Sequence, residues 1–150
     1  MKECGIKKIK SAEKEFREKE EEELANLLSF NGKETLRRLA KKVKIIAFTD
    51  SPRTSQEIRK ILKIGKMDKY FYKIISSHDI KEEKPKAFVH IKQKYKNFIF
   101  LGHENDEIIG AKKLGILTIG LNNYNAHYTI KNLYELEKII KKISHEKQNT

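Results

Sequence analysis

Short segments that are apolar at almost every position, each followed by a longer segment that is apolar on one side only, set the tightest limit on how this chain folds. Val43–Thr49 (VKIIAFT) and Asn97–Leu101 (NFIFL) are the clearest of the short ones. Successive side chains of a strand point to opposite faces, so a strand apolar at consecutive positions needs cover on both sides. In the segments between them the apolar residues recur every three or four positions. Leu36, Leu39 and Ala40 do so within 33–42, and Ile58, Ile61, Leu62 and Ile64 within 55–64, where Gly65 follows as a stop. That spacing predicts helices with one buried face.

The alternation continues to the end of the chain. Tyr72–Ser76 reads as a strand, about 86–96 as a helix, and Asn105–Leu114 as a helix ending at Gly115. Ile116–Gly120 and Tyr128–Ile130 read as strands, and a last helix carries Leu133, Leu136, Ile139, Ile140 and Ile143 on one stripe. Strands and helices in this order predict an α/β fold, a Rossmann-like three-layer parallel sheet with right-handed crossovers. Residues 11–28 read as a separate helix, broken off at Asn31-Gly32. The expected organisation is a helical segment over 1–32, an α/β core over 33–144 and a tail over 145–150.

Charge narrows the function classes. The net charge is +12, yet residues 1–32 hold 7 Lys or Arg against 8 Asp or Glu, so the excess lies entirely downstream. A basic domain attracts phosphorylated ligands through long-range steering. Nucleic acid is not the expected partner, because the lysines are spread along the chain and not interleaved with aromatic residues as a stacking platform requires. The single cysteine, Cys4, excludes an internal disulfide framework and a cysteine-based zinc cluster. With no apolar run of the roughly 20 residues a bilayer crossing needs, no membrane is expected, and the expected compartment is the cytoplasm.

In an open parallel sheet, ligands bind beyond the C-terminal ends of the strands. Four segments fall there. The first is Thr49-Asp50-Ser51, which offers hydroxyls and a carboxylate ahead of a helix; it suits a phosphate and equally suits a helix cap. The second is Lys84-Pro85, where the proline stiffens the stem carrying a lysine. The third is Gly102-His103-Glu104-Asn105-Asp106-Glu107, an acidic cluster that fits either a magnesium site or the favourable charge of a helix start. The fourth, Gly120-Leu121-Asn122-Asn123, is a polar loop.

The order of these segments resembles the C-terminal part of haloacid dehalogenase (HAD) superfamily phosphohydrolases, from about residue 33 to 143. IIAFT matches that family's second motif through Thr49, EEKP followed by AF matches the third through Lys84, and FLGHENDEIIGAKKLGI matches the fourth. HYTIKNLYELEKII looks like the family's last short strand and terminal helix. The resemblance implies phosphate binding by Thr49, Ser51 and Lys84, and a Mg2+ site at Asp106 and Glu107. It also implies that His103 stands at the family's acidic position, which would weaken the metal site.

No DxDxT motif occurs anywhere in the chain, so the family's aspartyl nucleophile and the strand carrying it are missing. Asp50 is the nearest replacement nucleophile. The resemblance therefore implies a domain that binds a phosphorylated small molecule or a protein partner with catalysis impaired or lost. An active magnesium-dependent phosphatase and a basic nucleic-acid-binding module are the alternatives. The missing strand belongs between the strands at 43–49 and 97–101, so those two either close up or leave a gap. A second copy or another chain could fill such a gap, and residues 1–32 would be the remnant of a helical cap.

Overall fold

The computed structural model describes residues 32–148. The helix expected over 11–28, Cys4 and the last two residues lie outside the described residues. Among the described residues six α-helices and five strands follow one another in the expected order, with one short helix, at Ser77–Ile80, that the sequence did not predict. These are α1 (Gly32–Ala40), β1 (Ile46–Thr49), α2 (Ser55–Ile64), β2 (Lys73–Ser76), α3 (Ser77–Ile80), α4 (Ala87–Lys94), β3 (Ile99–Gly102), α5 (Asn105–Lys113), β4 (Leu117–Leu121), β5 (Tyr128–Ile130) and α6 (Leu136–Gln148). Single 3-10 turns at Asp68–Tyr70 and Leu133–Glu135 precede β2 and α6. No helix among the described residues is long and apolar enough to cross a membrane.

Every strand pairing is parallel, in the register Phe48↔Ile75 for β1–β2, Leu101↔Ile119 for β3–β4 and Gly120↔Thr129 for β4–β5. Among the described residues the strands form two sheets, β1-β2 and β3-β4-β5. Among the described residues, neither the free edge of β1 nor that of β3 joins a ladder. Closing them together would force both helix layers to shift by a strand width of about 4.8 Å, against cores that are already packed.

Alternation along β3 explains how the second sheet is covered. Ile99 and Leu101 face a core of Leu39 from α1, Ile119, Ile130, and Leu136 and Ile143 from α6. Phe98 and Phe100 face the other way, onto Phe88 of α4 and Ala111 and Ile116 around α5. Phe88 and Phe100 meet edge to face, with ring centroids 4.7 Å apart. A smaller core of Ile58 and Leu62 from α2 with Ile74 covers the first sheet.

Boundaries differ from the sequence reading at the lysines. Val43 and Lys44 are exposed and precede β1, because an ammonium in the middle of a doubly covered strand would be desolvated without a partner. Gly65 ends α2 with an ordinary φ of −84°, and the left-handed position falls on Lys66. Gly115, by contrast, does take φ +76° after α5. The final helix runs on through His145 to Gln148.

Candidate functional site

β1 delivers Thr49, Asp50 and Ser51 to the C-terminal edge of its sheet, and the segment is wound by its own hydroxyls. Thr49 Oγ1 accepts the Ser51 N–H at 3.2 Å, and Ser51 Oγ accepts that of Arg53 at 3.3 Å. Both hydroxyls keep their own hydrogen to donate. The helix cap weighed for this segment falls three residues beyond it, on Thr54, whose Oγ1 accepts the Glu57 N–H at 3.2 Å. Ser51 is buried, whereas Asp50 is exposed.

Lys84 is the centre of the site. Its backbone N–H donates to Asp50 Oδ1 at 3.2 Å, which ties the loop before α4 to the end of β1. Its side chain, only 11% exposed, turns inward. There the ammonium donates to the Phe48 carbonyl at 3.3 Å and pairs with Glu107 Oε1 at 3.3 Å. Two rings flank it, with Nζ 5.2 Å from the Phe48 centroid and 6.0 Å from that of Phe100. One residue of β1 and one of β3 thus meet at a single cation, where the two sheets come apart. A desolvated cation held by a carboxylate, a carbonyl and two ring faces is a strong electrostatic fixture, since the surroundings screen it poorly.

Glu107 comes from the first turn of α5, with its side chain 14% exposed. Burial raises its pKa above the usual carboxylate value, Lys84 opposes that shift, and the neighbouring Asp50 carboxylate adds to it. The Asp50 carboxylate therefore stands close enough to disfavour ionisation of Glu107. Gly110 explains how α5 approaches so closely. A Cβ placed there would lie 2.3 Å from Pro85 Cβ and 2.8 Å from Pro85 Cγ, so no side chain fits. Residues 107 and 110 are three apart and share a helix face, so one contact seats Pro85 while the other reaches the lysine beside it.

The other two fourth-motif residues lie elsewhere. His103 is exposed and its Nε2 is 3.2 Å from Glu104 Oε1, while Asp106 points to solvent. Of the residues read from that motif, only Glu107 joins Lys84. The loop after β4 has a structural task. The amide of buried Asn123 donates to the His103 carbonyl at 3.0 Å and to Asn105 Oδ1 at 2.7 Å, and its oxygen accepts the Asn125 N–H at 3.0 Å. Gly120 leaves room for that turn, with Asn123 O only 2.2 Å from where a Cβ would sit.

An open cleft of about 600 Å3 adjoins Asp50 and Ser51, with Pro52, Ser77, His78 and the 81–83 loop around it. A smaller one of about 230 Å3 lies between α1 and α6, away from the strand ends. Among the described residues no three His, Cys, Asp or Glu side chains gather as a metal cage. Asp50 and Glu107 supply two hard oxygen donors, and Mg2+ is commonly held by one or two carboxylates, with a substrate phosphate and waters completing its shell. The donor chemistry fits that ion in its sparsest form.

The Gly110–Pro85 contact and the aromatic walls from Phe48 and Phe100 were not readable as site features from the sequence. The glycine shows only as helix punctuation, and the two phenylalanines only as strand core.

No family model matches the sequence, and no curated protein matches it. Solved structures do. The chain is 28% identical to a HAD phosphatase from Thermococcus onnurineus, at a TM-score of 0.60, over 71% of this chain and 54% of that one. It is 21% identical to YfnB of Bacillus subtilis, assigned as a HAD-hydrolase and solved with magnesium bound, at a TM-score of 0.62 over 72% and 52%. The core domain of a Streptococcus pneumoniae protein assigned as a phosphoglycolate phosphatase matches over 77% of this chain and 88% of its own, at 20% identity and a TM-score of 0.62. The chain spans about half the length of the first two. Its fold is that of the HAD-superfamily hydrolases.

Proposed function

We propose that this chain is a HAD-type phosphate-recognition domain. In this reading Lys84 receives the phosphoryl group of a small phosphorylated ligand, and the chain alone does not turn that ligand over. The observation that carries the reading is the Lys84 side chain, turned inward at the parting of the two sheets with its ammonium against Glu107, while its backbone N–H holds the Asp50 carboxylate beside that acid. Two acids and one ammonium leave the site negative. Bound Mg2+, held by Asp50 and Glu107, would neutralise that charge and polarise a phosphoryl oxygen. The Thr49 and Ser51 hydroxyls, each with a hydrogen still to donate, stand on the neighbouring turn.

The absence of turnover follows from the same residues. Displacement at phosphorus needs an attacking group and an acid to protonate the leaving oxygen. Asp50 is the one carboxylate on the β1 loop, and its Oδ1 already accepts the Lys84 N–H. The position two residues on, where the family places its acid, is Pro52.

The test uses the full chain. Melting is followed with Mg2+ and inorganic phosphate, and hydrolysis with an aryl phosphate, in wild type, Lys84→Ala and Asp50→Asn. At ten times its Kd a ligand stabilises by about 1.4 kcal/mol, worth roughly 4 °C for a domain this size. The reading expects that rise in wild type, its loss in Lys84→Ala, and no hydrolysis by any of the three. A flat melting temperature would defeat the binding claim. Hydrolysis that vanishes in Asp50→Asn would make the chain a phosphatase with Asp50 as its nucleophile.

A further inference from the structure

At the opposite end of the strands from Lys84, folding gathers what the sequence keeps apart. The segments 42–45, 69–73 and 92–97 together hold seven lysines and three tyrosines, and no acidic residue. The backbone joins the first two, through the Tyr72 N–H donating to the Ile45 carbonyl at 2.8 Å. Lys44 Nζ lies 4.6 Å from the centroid of the Tyr72 ring, which is 56% exposed. Lys94, at the last turn of α4, has its ammonium 5.7 Å from the Tyr95 centroid. It also stands against Lys73, whose pKa it holds below the ordinary lysine value. The result is a surface where the Lys73 and Lys94 ammoniums crowd each other, with the exposed Tyr72 ring and the half-buried Tyr95 ring beside them.

We propose that this surface, built on Lys44, Tyr72, Lys73, Lys94 and Tyr95, binds single-stranded nucleic acid. Like charges pressed together with no acid between them gain most from a ligand carrying closely spaced negative charges, and a phosphodiester backbone is one. The rings select among polyanions. A tyrosine face open to solvent beside two or three ammoniums offers a base somewhere to stack while the neighbouring phosphates are neutralised. A duplex keeps its bases stacked on each other and gains nothing from the rings. The site is independent of the Lys84 site and needs no phosphorylated small ligand.

The experiment is fluorescence anisotropy of a labelled 20-nucleotide oligo-dT with the full chain, at 50 and 200 mM KCl. Three backbone phosphates neutralised on a single strand predict about a 20-fold loss of affinity over that range of salt. Lys73→Gln/Lys94→Gln is expected to weaken binding at 50 mM at least tenfold and to flatten the salt dependence. Tyr72→Ala is expected to weaken it about tenfold with the salt dependence unchanged, as lost stacking should. Melting curves of each variant verify that the fold survives.

Lys60→Gln/Lys63→Gln removes the same charge from the exposed face of α2. If it weakens binding as much as the Lys73/Lys94 pair does, attraction is by net charge alone and the site is refuted. An unaltered affinity in Tyr72→Ala removes the single-strand reading. Binding to phosphatidylserine vesicles without binding to the oligonucleotide would make the surface a membrane contact instead.

Discussion

Replacing Gly110 by alanine tests whether the close approach of α5 to the Lys84-Pro85 loop is what assembles the site. The added Cβ would lie 2.3 Å from Pro85 Cβ, where ordinary contact begins near 3.4 Å. About 1 Å must therefore be found. A proline ring has no rotamer to swing away, so the movement falls on the loop or on the helix. Forcing extra volume into a packed contact costs about 1–3 kcal/mol. Alanine returns up to about 1 kcal/mol through its better helix propensity. The net expectation is a loss of about 1–2 kcal/mol, or a melting temperature lower by roughly 3–6 °C. Thermal unfolding followed by circular dichroism measures this directly. Displacing the loop also moves Lys84 relative to Glu107, now 3.3 Å apart, so the phosphate-dependent rise in melting temperature should shrink in the same variant. A Gly110→Ala protein that melts at or above wild type would refute the argument, since helix propensity would then be the only term acting.

Gly65→Ala is the matched control: its φ is −84° and its nearest contact would be Met67 at 3.7 Å, so the substitution should stabilise by about 0.4–1 kcal/mol in urea unfolding. Asn123→Ala removes the donor to the His103 carbonyl and the bridge to Asn105, and should cost about 2–3 kcal/mol by the same measurement. For Glu107 the folded state holds its proton more tightly than the unfolded chain, whose value is near 4.5, because burial raises the folded pKa. Stability attributable to this group is therefore greatest below pH 4.5 and falls as pH rises through its raised pKa. Glu107→Gln should remove that fall, visible as a flatter pH profile of the urea midpoint between pH 4 and 7.

What the sequence disclosed depended on whether neighbours in sequence were also neighbours in space. The strands were legible because a doubly covered strand must be apolar at consecutive positions, as in KIIAFT and NFIFL. α2 was legible to the residue because Ile58, Ile61 and Leu62 repeat at helical spacing, although its cap, Thr54, was not singled out. Thr49, Asp50 and Lys84 were marked by strand ends and a proline. That Glu107 and not Asp106 meets Lys84 rests on which face of α5 meets Pro85, a contact between segments 25 residues apart in sequence. The basic patch stayed hidden for the same reason. Its lysines look evenly scattered until β1–β2 pairing and the end of α4 bring three distant segments together.

The position of α1 bears on how the chain is made. Leu39 has its partners in Ile119, Ile130, Leu136 and Ile143, on the far side of the β1–β2 unit in sequence. A ribosome adding 5–20 residues per second needs on the order of 5–20 s to supply the roughly one hundred residues between them. During that interval β1, α2 and β2 can already pair among themselves, while Leu39 still lacks the β4, β5 and α6 side chains it packs against in the finished fold. Among the described elements, α1 thus completes its packing after the first sheet does. A holdase acting during synthesis would find Leu39 open to it until α6 has emerged.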